Sequence, residues 1–479
     1  MFDYIALYKN FISNPKSLLI SPAGYGKTHT ISECLKYTEG KQLVLTHTHA
    51  GVASLKEKVK KRGIPSSKYH IETIASFAQK YVNAFYCKND IPEQDDSNNY
   101  FPFIVQKAAN LVKIKPIKEV VKLTYVGLFV DEYQDCTRNQ HQFILALSEI
   151  LPVYILGDPL QGIFDFNGEE LVDFETDLSD FTDSKFELIE PWRWKNSNSK
   201  LGDALKEIRS KLEKEINIDL SQYSSVIEIL QSAENDIYSW NEKYNKRIRE
   251  LLNSENNLLF IYPQSENINA RKKLVKTFQN RFHLVEAMDG NDFYNFSKII
   301  DEVDPTSVYN KIYRIACNIF NKSELNNWFN RNQLKKKRHE KDKKIIAPIN
   351  NTLEKLSQKV SFVLVSQILK QIKNIPNIKC YRKELFYDLC KALEQAEYQK
   401  ISVYEAMKNI RNAKRRMGRK IKGKCIGTTL LIKGLEFDAV AILNAHKFSD
   451  PKNLYVALTR ASRRLIVFTN NKVLSPYVH

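Results

Sequence analysis

The sequence predicts an α/β protein built on parallel, doubly wound sheets. Three observations carry this. Short apolar runs end in polar or glycine-bearing turns: Leu18–Ile20 before Ser21–Thr28, Val126–Val130 before Asp131-Glu132, and Val153–Leu156 before Gly157-Asp158. Segments with helical spacing, such as 50–61 and 138–150, alternate with those runs. The side chains able to do chemistry sit just after the strands, where parallel sheets place their sites.

Taken in order, residues 1–60 read as strand, loop, helix, strand, helix, the second strand being Gln42–Thr46. The spacing of Ile71, Ile74, Phe77 and Tyr81 predicts a helix over 69–84. Residues 88–99 are polar and read as a loop, and 103–121 read as helical. A second sheet unit begins near Phe186, with strands at 257–262 and 282–287 around a helix at 269–279. From 299 to 417 the pattern is helical and basic, and strands return at 425–429, 439–443 and 465–468. The expected organisation is a first sheet domain over 1–81 and 123–185, interrupted by a small helical insertion at 82–122. A second spans 186–299 and 421–479, interrupted by a basic helical insertion at 300–420.

Composition narrows the function. The chain of 479 residues carries 73 Lys+Arg against 55 Asp+Glu, a net +18 that suits a polyanionic partner, nucleic acid above all. Its seven cysteines are scattered without a C-x-x-C pair, which argues against a zinc ribbon or redox motif and fits a reducing cytoplasm. No apolar run approaches the ~18 residues of a membrane span, so no membrane partner is expected. The N-terminus has no basic leader, so the expected location is cytoplasmic.

The stretch Ser21-Pro22-Ala23-Gly24-Tyr25-Gly26-Lys27-Thr28, between a strand and a helix, has the arrangement of a phosphate-binding loop. Gly24 and Gly26 let backbone N–H groups turn toward phosphate oxygens, and the helix N-terminus adds its positive end. Lys27 would reach the β- and γ-phosphates of ATP, and the Thr28 hydroxyl would hold Mg²⁺. Ser21 stands where such loops usually begin with glycine. The acidic strand end supplies the rest of a hydrolytic site: Asp131 for the metal, Glu132 to orient and deprotonate water. After the third strand, Gln161 is placed to feel a γ-phosphate, and Phe164 and Phe166 could stack on bases.

These segments, with others, resemble the UvrD/Rep/PcrA-type superfamily 1 helicases in order and across almost the whole chain. Thr46–Ala53 resembles that family's "TFTNKAA", Thr73–Phe77 its "TFHSF", Asp131–Asp135 its "DEFQD", and Gly157–Phe166 its "GDDDQSIYGF". Leu188–Arg193 resembles "LxxNYR"; Lys433–Asp438 and Tyr455–Ala461 match "KGLEFD" and "YVALTRA" in full. The resemblance implies two RecA-like domains with ATP between them and single-stranded DNA across their tops. It gives Arg193 and Arg460 the γ-phosphate, assigns Gly24, Gly26, Lys27, Thr28, His29 and Glu436 to the nucleotide, and puts Thr48, His49, Ser76, Phe77, Phe164, Phe166 and Lys433 on the DNA side.

Most departures fall on that DNA side or on its coupling to ATP. His49 replaces an asparagine, Ala75 a histidine, Pro191 an asparagine, and Leu430 a histidine. Residues 1–17 contain no glutamine to read adenine. The implied function is a DNA-stimulated ATPase moving 3′→5′ on single-stranded or tailed DNA. The alternative is an ATP-hydrolysing DNA sensor that works with a separate nuclease in anti-phage defence. Compact UvrD-like proteins of the Gabija type resemble that alternative in length and reduced insertions.

Overall fold

The computed structural model describes residues 3–163, 169–263, 268–285, 291–331, 333–417, 421 and 423–477. It divides into two compact units: Met1–Glu266 with Lys414–His479, and Asn267–Ala413.

The first unit holds two parallel sheets. The first is built from β1 (Lys16–Ile20), β2 (Gln42–Thr46), β3 (Tyr69–Thr73), β4 (Gly127–Val130), β5 (Val153–Gly157) and β6 (Lys185–Glu187), in the order β3-β2-β4-β5-β1-β6. Its strands alternate faces. Leu18, Leu43, Leu45, Leu128, Val130, Val153 and Ile155 enter one core. Leu19, Val44, Phe129, Tyr154 and Leu156 enter another on the opposite face. Helices Ile74–Phe85, Ser97–Leu111, Lys115–Thr124 and Arg138–Ser148 contribute to the first core; Tyr4–Ser13, Lys27–Tyr37 and His49–Lys61 contribute to the second. With both faces covered, each buried aliphatic residue contributes about 1.5–3 kcal/mol, and the strands read as apolar runs rather than as alternation.

Residues 69–84 are not one helix. Tyr69–Thr73 pairs in parallel with β2, and the helix begins only at Ile74, with the Thr73 hydroxyl accepting the Ser76 N–H. The apparent helical spacing joins buried residues of a strand to those of the helix that follows it. The region 82–122 also holds more structure than a single stretch. Its helices Ser97–Leu111 and Lys115–Thr124 bury Tyr100, Ile104, Val105, Ile117 and Val121 in the first sheet's own core.

Further along lie β7 (Ile218–Asp219), β8 (Ile227–Gln231), β9 (Leu258–Ile261) and, in the other unit, β10 (His283–Leu284). They are followed by β11 (Lys424–Gly427), β12 (Phe437–Ile442), β13 (Ala461–Thr469) and β14 (Val473–Leu474). Within the first unit the second sheet runs β11-β9-β12-β13-β8, all parallel. A small antiparallel ribbon joins β7 to β14. Two mostly parallel sheets with flanking helices form the α/β architecture of two RecA-like domains.

The second unit is helical. Helices Val308–Ile319, Glu340–Gln358, Phe362–Lys373 and Lys383–Gln399 surround a core that includes Ile312, Ile315, Leu356, Ile368, Leu369, Leu385, Leu389 and Leu393. Phe293, Tyr294, Phe296 and Ile300 belong to the same core, so this body begins before residue 300. It is also where charge collects. Residues 267–413 hold 28 Lys/Arg against 15 Asp/Glu, which accounts for thirteen of the net +18. Not all of it faces solvent. Arg411 is fully buried, paired with Asp388 at 2.8 Å and Glu384 at 3.1 Å, its guanidinium 3.8 Å from the Phe293 ring centre. The rest of the basic run 411–424 lies partly outside the described residues.

Candidate nucleotide site

The phosphate loop is fixed at both ends. At its start the Ser21 N–H donates to the Gly157 carbonyl at 2.9 Å, tying β1's exit to that of β5. Ser21 does not adopt positive φ, so the side chain that replaces the usual glycine is accommodated. Gly24 and Gly26 do adopt it, at φ +79° and +100°, and Gly26 caps the helix Lys27–Tyr37. A Cβ on Gly24 would meet the Trp194 ring at 2.6 Å. Lys27 is buried, its Nζ donating to the Ser21 carbonyl at 3.1 Å and lying 3.6 Å from Glu132 Oε2.

The acidic strand end sits beside that lysine. Asp131 continues β4, its N–H donating to the Leu45 carbonyl, and is 4% exposed. Glu132 turns sharply out of the strand at φ +57°, a left-handed conformation costing a non-glycine residue on the order of 1 kcal/mol. Its carboxylate accepts from Gln134 Nε2 at 2.6 Å. The two acids are driven apart electrostatically. Burial, then the neighbouring Glu132 charge, pushes Asp131 upward against the pull of Lys27. Burial alone would raise Glu132 as well, but Lys27, Lys433, the Gln134 hydrogen bond and Arg460 hold it ionised and low. The desolvated Asp131 carboxylate and the Thr28 hydroxyl of the cleft lining are hard-oxygen donors. Such a set fits Mg²⁺, whose charge would relieve Asp131.

From the other side come the arginines. Arg460 is 3% exposed, donates from Nη2 to Gln161 Oε1 at 3.2 Å, and is anchored by Nε on the Val456 carbonyl at 3.0 Å. Burial, then the Arg193 charge, lowers it to about 10, so it stays cationic at neutral pH. Arg193 pairs with Glu436 at 2.6 Å and donates to the Thr459 carbonyl. The charge of Arg193 is the main cause holding Glu436 far below the usual carboxylate range. A cleft of about 640 Å³ is lined by Gly24, Gly26, Lys27, Thr28, His29, Glu132, Gln161, Trp192, Arg193, Glu436 and Arg460 among others. That is room for a nucleotide, and the lining includes cations, a carboxylate and an amide.

Comparison with known proteins agrees. A family model described as an AAA domain matches residues 5–167, and a viral superfamily 1 RNA helicase core domain matches residues 108–246. Gabija protein GajB of Bacillus cereus (strain VD045) is 24% identical over 410 residues, covering 80% of this chain and 71% of that protein. The matched segments are similar to those of superfamily 1 helicases, and the chain is related to GajB. Domains of this kind imply a nucleotide-hydrolysing enzyme. Among the described residues, no helix is long and apolar enough to cross a membrane.

The superfamily 1 segments expected to face DNA fare differently from those facing nucleotide. Phe77 is fully buried in the first sheet's core, its ring 4.8 Å from that of Tyr81, and offers no surface to DNA. Lys433 is 2% exposed and is drawn inward by an ion pair with Asp135 and a hydrogen bond to the Gln161 carbonyl. Its ammonium is thereby held beside Gln161, which lines the cleft. Ser76 is 6% exposed and accepts the Thr73 hydroxyl at 2.8 Å, which makes it part of a helix start. Thr48 caps its helix by accepting the Gly51 N–H, and His49 opens that helix half-exposed. Phe164 and Phe166 lie outside the described residues.

Four residues of the site escaped sequence reasoning. Trp192 lines the cleft at 39% exposure, its ring 5.5 Å from Tyr4 and 6.5 Å from His29, a flat aromatic wall beside the phosphate loop. Burial, then Arg62, lowers the pKa of His29 and keeps it neutral. Tyr455 accepts the Ala23 N–H at 3.2 Å, and Arg209 donates to the same hydroxyl at 3.1 Å. Trp192 and Tyr455 stood inside recognised segments; Tyr4 and Arg209 had no local signal.

Proposed function

We propose that this chain is a DNA-stimulated ATPase that converts ATP hydrolysis into movement along single-stranded DNA, with 3′→5′ polarity. The observation that carries the reading is the convergence of Lys27, Glu132, Gln161, Arg193 and Arg460 on one cleft. Lys27 holds the β- and γ-phosphates, and Thr28 and Asp131 are the residues for Mg²⁺. That ion supplies positive charge to the phosphate oxygens when bound. Glu132 accepts the proton of the water that attacks the γ-phosphorus, and ADP leaves on its β-phosphate oxygen. Arg193 and Arg460 neutralise charge that grows on the transferring group. Trp192 gives the base a stacking wall. Because these arginines belong to segments after the first sheet, losing the γ-phosphate releases the grip between the halves of the cleft. Thr48, His49 and the segment holding Phe164 and Phe166 are the proposed DNA contacts.

A second reading is favoured by the likeness to GajB: an ATP-driven DNA sensor of an antiviral defence complex, acting with a separate nuclease and without processive unwinding. One experiment separates the two. ATP turnover is measured with and without single-stranded DNA, beside displacement of a strand from a 3′-tailed duplex. Stimulated turnover with displacement supports the motor; stimulated turnover without it supports the sensor. Turnover insensitive to DNA would end both.

A further inference from the structure

Arg209 lies on the helix Ser199–Glu213, outside every segment assigned above, with its side chain only 12% exposed. Its Nη1 is 2.8 Å from Asp158 Oδ1 and donates to Oδ2 at 2.9 Å and to the Tyr455 hydroxyl at 3.1 Å. Asp158 is fully buried at the exit of β5. The same carboxylate accepts the Gln161 Nε2–H at 2.7 Å, while the backbone N–H of Asp158 donates to Gln134 Oε1 at 2.9 Å. Gln134 in turn donates to Glu132. A chain of hydrogen bonds therefore runs from Glu132 through Gln134 and Asp158 to Gln161 and on to Arg460.

The direction of that chain is fixed by chemistry. An ionised carboxylate can only accept and a guanidinium can only donate. Gln161, held between Asp158 and Arg460, must therefore turn its NH₂ to Asp158 and its oxygen to Arg460 and the cleft. This holds only while the Asp158 carboxylate keeps its present orientation, and Arg209, whose Nη1 lies against both of its oxygens, is the cation that holds it there. A carboxylate without that clamp is free to turn away from Gln161. The Gln161 amide could then flip and offer N–H groups where an acceptor had been.

We propose that Arg209 is a positioning residue for hydrolysis: by clamping the Asp158 carboxylate in place as the acceptor of the Gln161 NH₂, it locks the Gln161 amide with its oxygen toward the cleft. That oxygen is the acceptor available to the attacking water, opposite the base Glu132. Through the Tyr455 hydroxyl, which also accepts the Ala23 N–H, Arg209 ties this lock to the phosphate loop. The proposal rests on the reading of the cleft as an ATPase site.

The test is ATP turnover at saturating single-stranded DNA for the wild type, Lys27→Ala, Arg209→Met, Arg209→Lys, Asp158→Asn and the Arg209→Met/Asp158→Asn double variant, each with a thermal melt. Arg209→Met and Asp158→Asn each free the amide to flip, so each should lower kcat roughly 10- to 100-fold with KM for ATP changed less than about 3-fold. Acting on one lock, they should not multiply: the double variant should stay within about 3-fold of the worse single one. Arg209→Lys keeps the charge and should recover a large part of kcat. Arg209→Met with kcat within about 2-fold of wild type overturns the proposal, whatever its melting temperature, because a mere brace would cost stability and not turnover. Multiplying losses overturn it equally. If Arg209→Met does not fold, Asp158→Asn decides by the same kcat criterion, and an Arg209→Lys variant that loses as much kcat as Asp158→Asn counts against the proposal. Absent wild-type turnover, or turnover indifferent to Lys27→Ala, would instead defeat the ATPase reading itself.

Discussion

Two sets of motif residues share the first unit and behave in opposite ways. On the nucleotide side Lys27, Glu132, Gln161, Arg193 and Arg460 converge on one cleft. On the side expected to meet DNA, Phe77, Ser76 and Lys433 are turned inward, into a core, a helix start and an ion pair. A motif tells which residues recur together; it does not tell which way each side chain points. Lys27 and Glu132 are pinned by backbone geometry, in a loop with two positive-φ glycines and at a strand end with a left-handed glutamate. Ser76 and Phe77 sit on a regular helix, where burial decides, and Lys433 follows a short helix and is drawn in by its ion pair.

The contrast can be sharpened by substitution. The largest effect belongs to Glu132→Gln. Removing the proton acceptor should cut steady-state ATP turnover by roughly 10²- to 10⁴-fold while nucleotide still binds, which filter binding would read directly. Lys27→Ala should follow, lowering turnover by roughly 10²- to 10³-fold and weakening binding as well. Phe77→Ala belongs to the other class. Emptying a fully buried aromatic site should cost about 3–5 kcal/mol in denaturant unfolding, and the protein that remains folded should keep its stimulation by DNA. Lost stimulation at unchanged stability would place Phe77 against DNA after all and erase the contrast. Trp192→Ala should have the smallest effect, raising KM for ATP about 2- to 10-fold with little change in kcat, as fits a stacking wall remote from the reacting phosphate.

Much of this was legible because it was local. Gly-Lys-Thr after an apolar run, and Asp-Glu after another, are neighbours in sequence and stay neighbours in space. The alternation of buried strands and helices gave the parallel sheets for the same reason. What escaped was either mixed or distant. The strand Tyr69–Thr73 and the helix after it pooled their apolar residues into one false period. The edge strand Ile227–Gln231 is apolar but broken by Glu228, which pairs with Arg247 and Arg464, so it does not read as an uninterrupted apolar run. Arg209 meets Asp158 and Tyr455, which are 51 and 246 residues away, and no spacing rule reaches that far. Burial of Phe77 was likewise a matter of tertiary packing that its own segment could not announce.

The hydrogen that stands for a side chain at Gly24 has a consequence for how this protein can change over generations. Two demands meet on that one atom: the left-handed turn of the loop and the Trp194 ring lying against it. Shrinking Trp194 would lift only the second. No single step, in nature or in a mutant library, can therefore free position 24, and the loop and the tryptophan that rests on it are not independent sites of variation. Drift in this chain must pass around that pair, through the exposed basic surface of the helical unit, where a lysine can be exchanged without disturbing the chemistry of the cleft.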